Sequence, residues 1–270
     1  NKLIKYLNNI FIKILNITNS IPENIIIKEI SNHFTNIFLH HKKLLSYICA
    51  SITDCIINNE CEKIYNIINI SNFFPNIDEF LICYLEKITN RSKKTNNHIE
   101  LEEKIINIMN DIHKENKYID SMKKIIYDCK TNIYNKTEFN NLNIIIKSEE
   151  YMDMKIDTKK IEVNVLTPHV WSFIDKKYYN NYICNIPKEL KAYMHFYNKY
   201  YDAKYNNRNL YWLNDEGEVY ITSYYNNKKY KLLLTPSQYS VLDMFNTVDN
   251  LTYDKIQNNT NIPDERLNDI

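Results

Sequence analysis

Apolar residues recur every three or four positions through the first half of the chain, which is the spacing of an amphipathic helix. The first such stripe is formed by Leu3, Leu7, Ile10, Ile14 and Ile17. The same spacing predicts further helices over about 23–48, 51–70, 77–90, 101–112 and 119–133. Asn76 precedes Glu79 by three residues, a spacing typical of a helix start. Because each striped helix must bury its apolar face against another, we expect an antiparallel helical bundle.

The pattern changes near residue 150, where alternation of apolar and polar residues becomes the main signal. Alternation is typical of half-buried strands, and it occurs in four short pieces: Val163 and Val165; Leu210 and Trp212; Val219 and Ile221; and Tyr230, Leu232 and Leu234. The last three predict a short antiparallel meander. A helix that opens at Pro187 should pack on it through Leu190, Tyr193, Tyr197 and Tyr200. We expect Trp171 and Trp212 in the core, and Gly217 at positive φ in the turn 214–217.

Strong helix-start signals follow the last predicted strand. Thr235-Pro236-Ser237-Gln238 has the residues of a capping box, Thr252 can cap a second helix, and Pro263 can begin a third. Short helices in this succession are typical of a winged helix. The predicted fold class is therefore α+β, with a helical bundle over 1–148, an α/β domain over 149–234 and a truncated winged helix over 235–270. The chain starts with Asn and stops inside a predicted helix, so we expect it to be part of a longer protein.

Composition excludes several classes of function. A single glycine in 270 residues argues against phosphate-binding loops and dinucleotide fingerprints, which need glycine for the close approach of backbone to phosphate. No apolar run approaches the roughly 18 residues of a membrane span, so we expect no membrane contact. The net charge of +1 gives no overall field that would attract nucleic acid.

The cysteines and histidines do not form a recognisable metal site. The six cysteines contain no CxxC pair and mostly have apolar neighbours, which indicates reduced, buried thiols in a cytoplasmic or nuclear protein. His33, His40 and His41 could share a helix face, but acidic or cysteine ligands are missing nearby. We therefore expect neither a metal nor another cofactor.

Some residues of the sequence could also support three other functions. Cys184 with His169 or His195 could form a thiol enzyme, although no neighbouring motif would activate the thiolate. The carboxylates of Asp215, Glu216 and Glu218 could imitate a catalytic acid pair, although acidic residues are common at solvated turns. A winged helix could also bind nucleic acid, but Asp264, Glu265 and Asp269 on its last helix would repel phosphate.

The carboxy-terminal hundred residues carry an ordered series of motifs. They are Val163-x-Val165-Leu166-Thr167, Trp171, Ile186-Pro187-x-Glu189-Leu190, Phe196-Tyr197, Arg208-x-Leu210-x-Trp212, Gly217-x-Val219, Tyr230-x-Leu232-x-Leu234, Gln238-x-x-Val241-Leu242-x-x-Phe245-Asn246, Leu251-Thr252, Ile256, Thr260-x-Ile262-Pro263 and Leu267. In this order and spacing, residues 160–267 resemble the cullin homology region of ubiquitin-ligase scaffolds. Two features are slightly more similar to the cullin-like subunit of the anaphase-promoting complex than to an ordinary cullin. They are the sequence Thr235-Pro236-x-Gln238 and the pair Tyr197 and Tyr201.

The resemblance implies a scaffold without catalytic residues. Its implied partners are a RING-box-type zinc protein, a charged ubiquitin-conjugating enzyme and other ligase subunits. This chain lacks the closely spaced Cys and His ligands of a RING, so the RING would come from the partner. Strand addition is the physical route that we expect, with Val163, Val165, Leu210, Trp212, Val219 and Ile221 as the interface.

Two departures from the family pattern matter. Ser172 stands where the family normally has proline after Trp171. The chain also ends before the second winged-helix subdomain, where family members carry the lysine that accepts a ubiquitin-like modifier. No acceptor lysine is therefore assigned.

Overall fold

The computed structural model describes residues 28–29, 31–33, 35–37, 43–94, 96–142, 157–171 and 184–270. They divide into two compact units. The first contains the described residues up to Ile133 and those from Asn164 to Trp171; the second contains those from Tyr134 to Val163 and from Cys184 onward. The stripe predicted over residues 3–17 and the departure at Ser172 lie outside the described residues. The domain boundaries expected at 148 and 234 stay predictions.

Helices make up the first unit. They are α1 (Leu44–Ile57), α2 (Cys61–Ile70), α3 (Ile77–Lys94), α4 (Ile99–Ile112) and α5 (Lys117–Asn140), which belongs to this unit as far as Ile133. Each helix buries an apolar stripe, and Ile52, Ile64, Phe80, Ile105 and Met122 are fully shielded from solvent. Asn76 and Glu79 bond reciprocally at the start of α3, which confirms the predicted helix start. The hydrophobic effect therefore stabilises these helices mainly through their mutual packing.

The predicted helix break near residue 50 is wrong. Ile48, Cys49 and Ile52 continue a single buried stripe through α1, and no residue there ends the helix. The break falls later, at Asn59, whose φ of 56° is left-handed. Asparagine tolerates this conformation better than other side chains do, so it separates α1 from α2.

The strand predicted around Val163 and Val165 is also wrong. None of residues 161–167 is in a strand. The side chain of Asn132 on α5 donates to the carbonyl of Val165 at 3.0 Å and accepts from its N–H at 2.9 Å. A helix side chain therefore satisfies the backbone groups that a neighbouring strand would otherwise pair.

Aromatic residues dominate the helical part of the second unit. Helix α6 (Lys188–Lys204) begins directly after Pro187 and buries Ala192, Tyr193, Phe196, Tyr197 and Tyr201. Tyr197 makes an edge contact with Phe139, their ring centroids lying 5.1 Å apart. The predicted stripe was therefore correct for Tyr193 and Tyr197, whereas Leu190 and Tyr200 are less buried than Phe196 and Tyr201.

A single antiparallel hairpin forms the sheet. Strand β1 (Val219–Tyr225) pairs with β2 (Lys228–Leu234) in a register that places Val219 opposite Leu234. Asn226 and Asn227 make the turn, with φ of 46° and 59°. Positive φ at both central residues is typical of the type I′ turns that suit the twist of hairpins.

The strand predicted at Leu210 and Trp212 is wrong, because residues 208–213 are not in a strand. The indole N–H of Trp212 donates to the side-chain oxygen of Asn198 at 3.1 Å, and its ring meets Tyr197 edge-on at 6.1 Å. This segment therefore holds Trp212 against α6 while its backbone stays outside the sheet.

Gly217 directly follows the turn formed by residues 214–216 rather than lying in it, and the expected positive φ is also wrong. A Cβ atom at this position would lie 3.0 Å from Cγ and 3.2 Å from Cδ of Pro236. Glycine is therefore favoured here by the close approach of the proline ring rather than by backbone conformation.

The carboxy-terminal helices are α7 (Pro236–Met244), α8 (Tyr253–Thr260) and α9 (Asp264–Leu267). Thr235 and Gln238 form the predicted capping box, and Thr252 caps α8. Cys184, Ile186, Ile262 and Leu267 make a small core in this unit. The α+β fold class is confirmed, while the assignment of these helices to a winged helix stays a prediction.

Candidate partner interface

One face of the hairpin carries the predicted interface residues Val219 and Ile221. The register sets Val219 against Leu234 and Ile221 against Leu232, and all four side chains are half-buried. Strand β2 contacts α7, so part of this burial comes from the protein's own helix. Only part of the apolar surface on this face is therefore exposed and able to contact another protein.

The opposite face of the hairpin is far more exposed, and the sequence analysis missed it. Tyr220 is 75% exposed, Tyr224 is 72% exposed and Leu233 is 56% exposed. Lys229 stands opposite Tyr224, and residues 219–234 contain no acidic side chain. The sequence did contain a signal for this face. Tyr220 and Tyr224 occupy the positions that alternate with Val219 and Ile221, so they lie on the other side of the strand.

The outer edges of the hairpin are available for backbone pairing. Among the described residues, β1 and β2 pair only with each other. Each strand of a two-stranded sheet keeps N–H and C=O groups on its outer side that a further strand can satisfy. These edges are therefore geometrically suited to strand addition.

Leu210 and Trp212 lie in the irregular segment that follows α6. Both side chains are half-buried, and Trp212 is fixed to α6 by its bond to Asn198. Trp171, in the first unit, is 2% exposed and is therefore a core residue as predicted. Trp212, also expected in the core, is only half-buried.

Val163 and Val165 are half-exposed, and the chain after them is held by two residues of α5 that sequence reasoning missed. Asp128 accepts hydrogen bonds from the N–H of Thr167 at 2.7 Å, from its hydroxyl at 2.8 Å and from the indole of Trp171 at 2.8 Å. Asn132 lies one turn further along α5 and holds the backbone of Val165. The only sequence signal of this pair was the spacing of Asp128 and Asn132, two short polar residues one helical turn apart.

A cluster around Lys204 fixes the end of α6. Its ammonium group bonds Glu138 and lies 4.3 Å from the ring centroid of Tyr134, a cation–π distance. Tyr200 also donates to Glu138. Burial, followed by the bond to Glu138, raises the pKa of Tyr200 to about 12. The cluster therefore links α5 to the end of α6 within the second unit.

Several residues considered for the alternative catalytic sites make structural contacts instead. Cys184 is 6% exposed within an apolar core, and its thiol lies 3.8 Å from the hydroxyl of Ser240. His169 is exposed, and the His195 ring packs edge-on against Phe196 at 5.6 Å. Asp215 accepts from Ser237 at the start of α7, so its carboxylate supports a helix end.

The described ranges contain no group of three or more His, Cys, Asp or Glu residues placed to hold a metal ion. Within the same ranges, no helix combines the length and the apolar character required to cross a bilayer.

The second unit is thus an α+β domain whose described strands form a two-stranded hairpin, with helices on either side of it in sequence. The sequence profile of the Cullin alpha+beta domain matches residues 165–270. This match, together with similarity to cullins over the same part of the chain, agrees with the resemblance that the sequence motifs predicted.

Three relatives illustrate the similarity. Cullin-1 of Oryza sativa subsp. japonica is 28% identical over 105 residues, which are 39% of this chain and 13% of that protein. Cullin-3 of Dictyostelium discoideum is 29% identical over 103 residues, 38% of this chain and 13% of that protein. Putative cullin-like protein 1 of Arabidopsis thaliana is 27% identical over 121 residues, 44% of this chain and 16% of that protein. The matches thus span less than a fifth of each relative.

Proposed function

We propose that this protein is a non-catalytic, cullin-type scaffold of a multisubunit RING ubiquitin ligase and that its α+β domain recruits the RING subunit. The match of the Cullin alpha+beta domain to residues 165–270 carries the proposal. It is supported by the sequence, which has no CxxC pair and so cannot build a RING of its own.

The hairpin supplies a physical mechanism for recruitment. An extended segment of the RING-box-type partner would add to a free edge of β1 or β2 and satisfy its backbone groups. Alternate side chains of that segment would then contact Val219 and Ile221, while Leu210 and Trp212 supply apolar surface in the same unit. Val163 and Val165 complete the interface predicted from the sequence.

Catalysis in this proposal is positional. The scaffold raises the effective concentration of a charged ubiquitin-conjugating enzyme near a substrate, and bond formation occurs on the partners. We place this assembly in the cytoplasm or nucleus, because six cysteines without a disulfide suit a reducing compartment. Membership of an anaphase-promoting complex stays a prediction.

The test is co-purification of the full chain with a RING-box-type protein from its own cell extract. Capture should depend on Val219 and Ile221, so the double change Val219→Ala/Ile221→Ala should weaken it at least about tenfold, the loss of roughly 1.4 kcal/mol. Tyr220→Ala/Tyr224→Ala is the matched control on the opposite face of β1 and should retain capture. Thermal melts establish that both variants fold.

Two results would contradict the proposal at different levels. Absence of any RING-box-type protein from the wild-type capture would remove the scaffold function. Equal capture by both double variants would retain the scaffold and move the interface away from this face of the hairpin.

Charge disfavours the alternative, a winged-helix protein that binds nucleic acid. Helix α9 has Asp264 and Glu265 in its first turn, and Asp264 already accepts from Tyr253 and Gln257. Binding to duplex DNA should therefore be weaker than micromolar at physiological salt. Sub-micromolar affinity with a steep salt dependence would favour this alternative instead.

A further inference from the structure

One side of the hairpin presents six exposed side chains in two adjacent rows. Residues of a strand point alternately to its two sides, so these six share the side that faces away from Val219 and Ile221. We call them the tyrosine–lysine face. The register sets its members side by side in three pairs: Tyr220 with Leu233, Thr222 with Lys231, and Tyr224 with Lys229.

The hairpin buries its other side more deeply than the tyrosine–lysine face. Val219, Ile221 and Leu232 are half-buried, and strand β2 contacts α7, whereas Tyr220 and Tyr224 are about three-quarters exposed. A tyrosine ring in water can bury a large apolar area against a partner while its hydroxyl stays hydrated. These two rings are therefore suited to contact another molecule.

The charge on this face has one sign. Lys229 and Lys231 belong to it, Lys228 lies next to them in β2, and residues 219–234 contain no acidic side chain. Within the described part of the chain, none of the three lysines forms an ion pair. Glu218 just precedes β1 and accepts from the hydroxyl of Tyr220 at 2.7 Å, at the opposite end of the face from Lys229. Unpaired lysines attract an acidic partner and repel a second copy of the same face.

The spacing of the two rows fits an extended peptide. Residues on one side of a strand recur about every 6.8 Å, and alternate side chains of an extended peptide recur at the same distance. A peptide that lies along β2 can therefore place three alternate side chains over Leu233, Lys231 and Lys229 in turn. The first position is apolar and has Tyr220 beside it, while the other two are cationic.

We propose that the tyrosine–lysine face binds an extended acidic segment of another protein, with one apolar side chain and two carboxylates at three alternate positions. The apolar side chain contacts Tyr220 and Leu233, the carboxylates pair with Lys231 and Lys229, and the ring of Tyr224 packs beside the last of them. This site lies on the side of the hairpin away from the interface proposed for the RING subunit, so the two sites can be tested separately.

The direct test measures the fluorescence anisotropy of labelled peptides that are titrated with the purified full chain. Two probes carry Phe-Ser-Glu-Ser-Glu in the two chain directions, and a third carries Phe-Ser-Lys-Ser-Lys. At least one acidic probe should bind saturably with a Kd below about 1 mM, and more weakly as salt is added. The lysine probe should not bind. Failure of both acidic probes to bind, or equal binding of the lysine probe, would overturn the proposal.

Charge reversal tests whether the lysines of this face hold the acidic probe. Lys229→Glu/Lys231→Glu should weaken its binding at least about tenfold, because two attractive contacts become repulsive. Lys188→Glu/Lys255→Glu is the matched control, since it reverses two exposed lysines elsewhere in the same unit and changes the net charge equally. This control should leave the Kd within about twofold of wild type. Equal weakening by both reversals would mean that only total charge matters, which would overturn the proposed site.

Truncation of the rings tests the apolar contact. Tyr220→Ala/Tyr224→Ala should weaken the acidic probe about fivefold, and it should have no further effect on a probe in which serine replaces phenylalanine. Thermal melts establish that every variant folds. A single strand of thymidines that binds more tightly than the peptide and depends on the same residues would overturn the proposal in favour of nucleic acid. RING capture should survive this double change, so loss of RING capture and loss of peptide binding are separate results.

Discussion

At the scale of single residues, the most demanding feature is an ion pair inside the first unit. Arg91 donates through Nε to Glu102 at 2.6 Å and through Nη1 to the hydroxyl of Thr53 at 2.6 Å. Tyr84, which is fully buried, donates to the other carboxylate oxygen of Glu102 at 2.6 Å. Burial first, and the Glu102 charge second, raise the pKa of Tyr84. Removal of the carboxylate would leave a guanidinium without a counter-charge.

Glu102→Ala should therefore lower the free energy of unfolding by about 3–5 kcal/mol, as for other buried pairs that lose one partner. Urea denaturation measures this loss. The neighbouring change Glu103→Ala is a matched control, because it breaks an exposed pair with Lys130 and should cost at most about 1 kcal/mol. Arg91→Met/Glu102→Leu should be more stable than Glu102→Ala alone. Similar losses for Glu102→Ala and Glu103→Ala would show that the buried pair is not specially coupled.

At the scale of structural elements, Gly217 determines how the turn before β1 meets the start of α7. A methyl group at this position would lie 3.0 Å from Cγ of Pro236, which is a tight contact, although the glycine backbone itself is unstrained. Overpacking of this kind forces neighbouring atoms to shift by a few tenths of an ångström.

Gly217→Ala should destabilise the protein by about 1 kcal/mol, at the low end of overpacking costs. In a Pro236→Ala background the same change should cost less, because the atoms that it would meet are gone. A thermal-denaturation double-mutant cycle measures the coupling between the two positions. Strict additivity would mean that the contact does not limit this turn.

Elements that depend on neighbouring residues in the sequence could be predicted, whereas those that depend on distant ones could not. Thr235 with Gln238 and Asn76 with Glu79 act within one helical turn, so their roles were evident from spacing. Val163 and Val165 alternate like a strand, but Asn132, more than thirty residues earlier, determines how that backbone is satisfied. Local alternation does not specify the partner of a backbone group.

The candidate interface was predictable to the same extent. Val219 and Ile221 share a face of a real strand because alternation defines faces. Trp212 was assigned to a strand on the same signal, yet α6 accepts its indole N–H through Asn198. The exposed Tyr220 and Tyr224 were missed because composition counts tyrosine without distinguishing which strand face presents it.

At the scale of the whole molecule, stability should depend on pH through one partly buried histidine. The Nε2 atom of His113 lies 2.8 Å from the hydroxyl of Ser71, and Ser71 is 1% exposed. Burial lowers the pKa of His113 from its ordinary 6.5. Between the lowered pKa and 6.5, the unfolded chain binds more protons than the folded chain does.

The free energy of unfolding should therefore rise with pH across that interval and lose this contribution as pH falls below 6.5. His113→Gln removes the titrating group while keeping a polar side chain at the same site. The difference between wild type and variant, measured by urea denaturation from pH 5 to 8, should grow towards the acid end in the direction of a less stable wild type. A constant difference would contradict the histidine linkage.

The residues with positive φ show how asparagine can be used in place of glycine in this chain. Within the ranges that the structure describes, seven non-glycine residues have positive φ and five of them are asparagine, in a chain that has 42 asparagines and one glycine. An exchange of asparagine for glycine there relieves local strain but widens the unfolded ensemble, and the two effects are each about 0.5–1 kcal/mol. Because the two effects oppose each other, asparagine can stand in place of glycine at these turns with little net change in the free energy of unfolding.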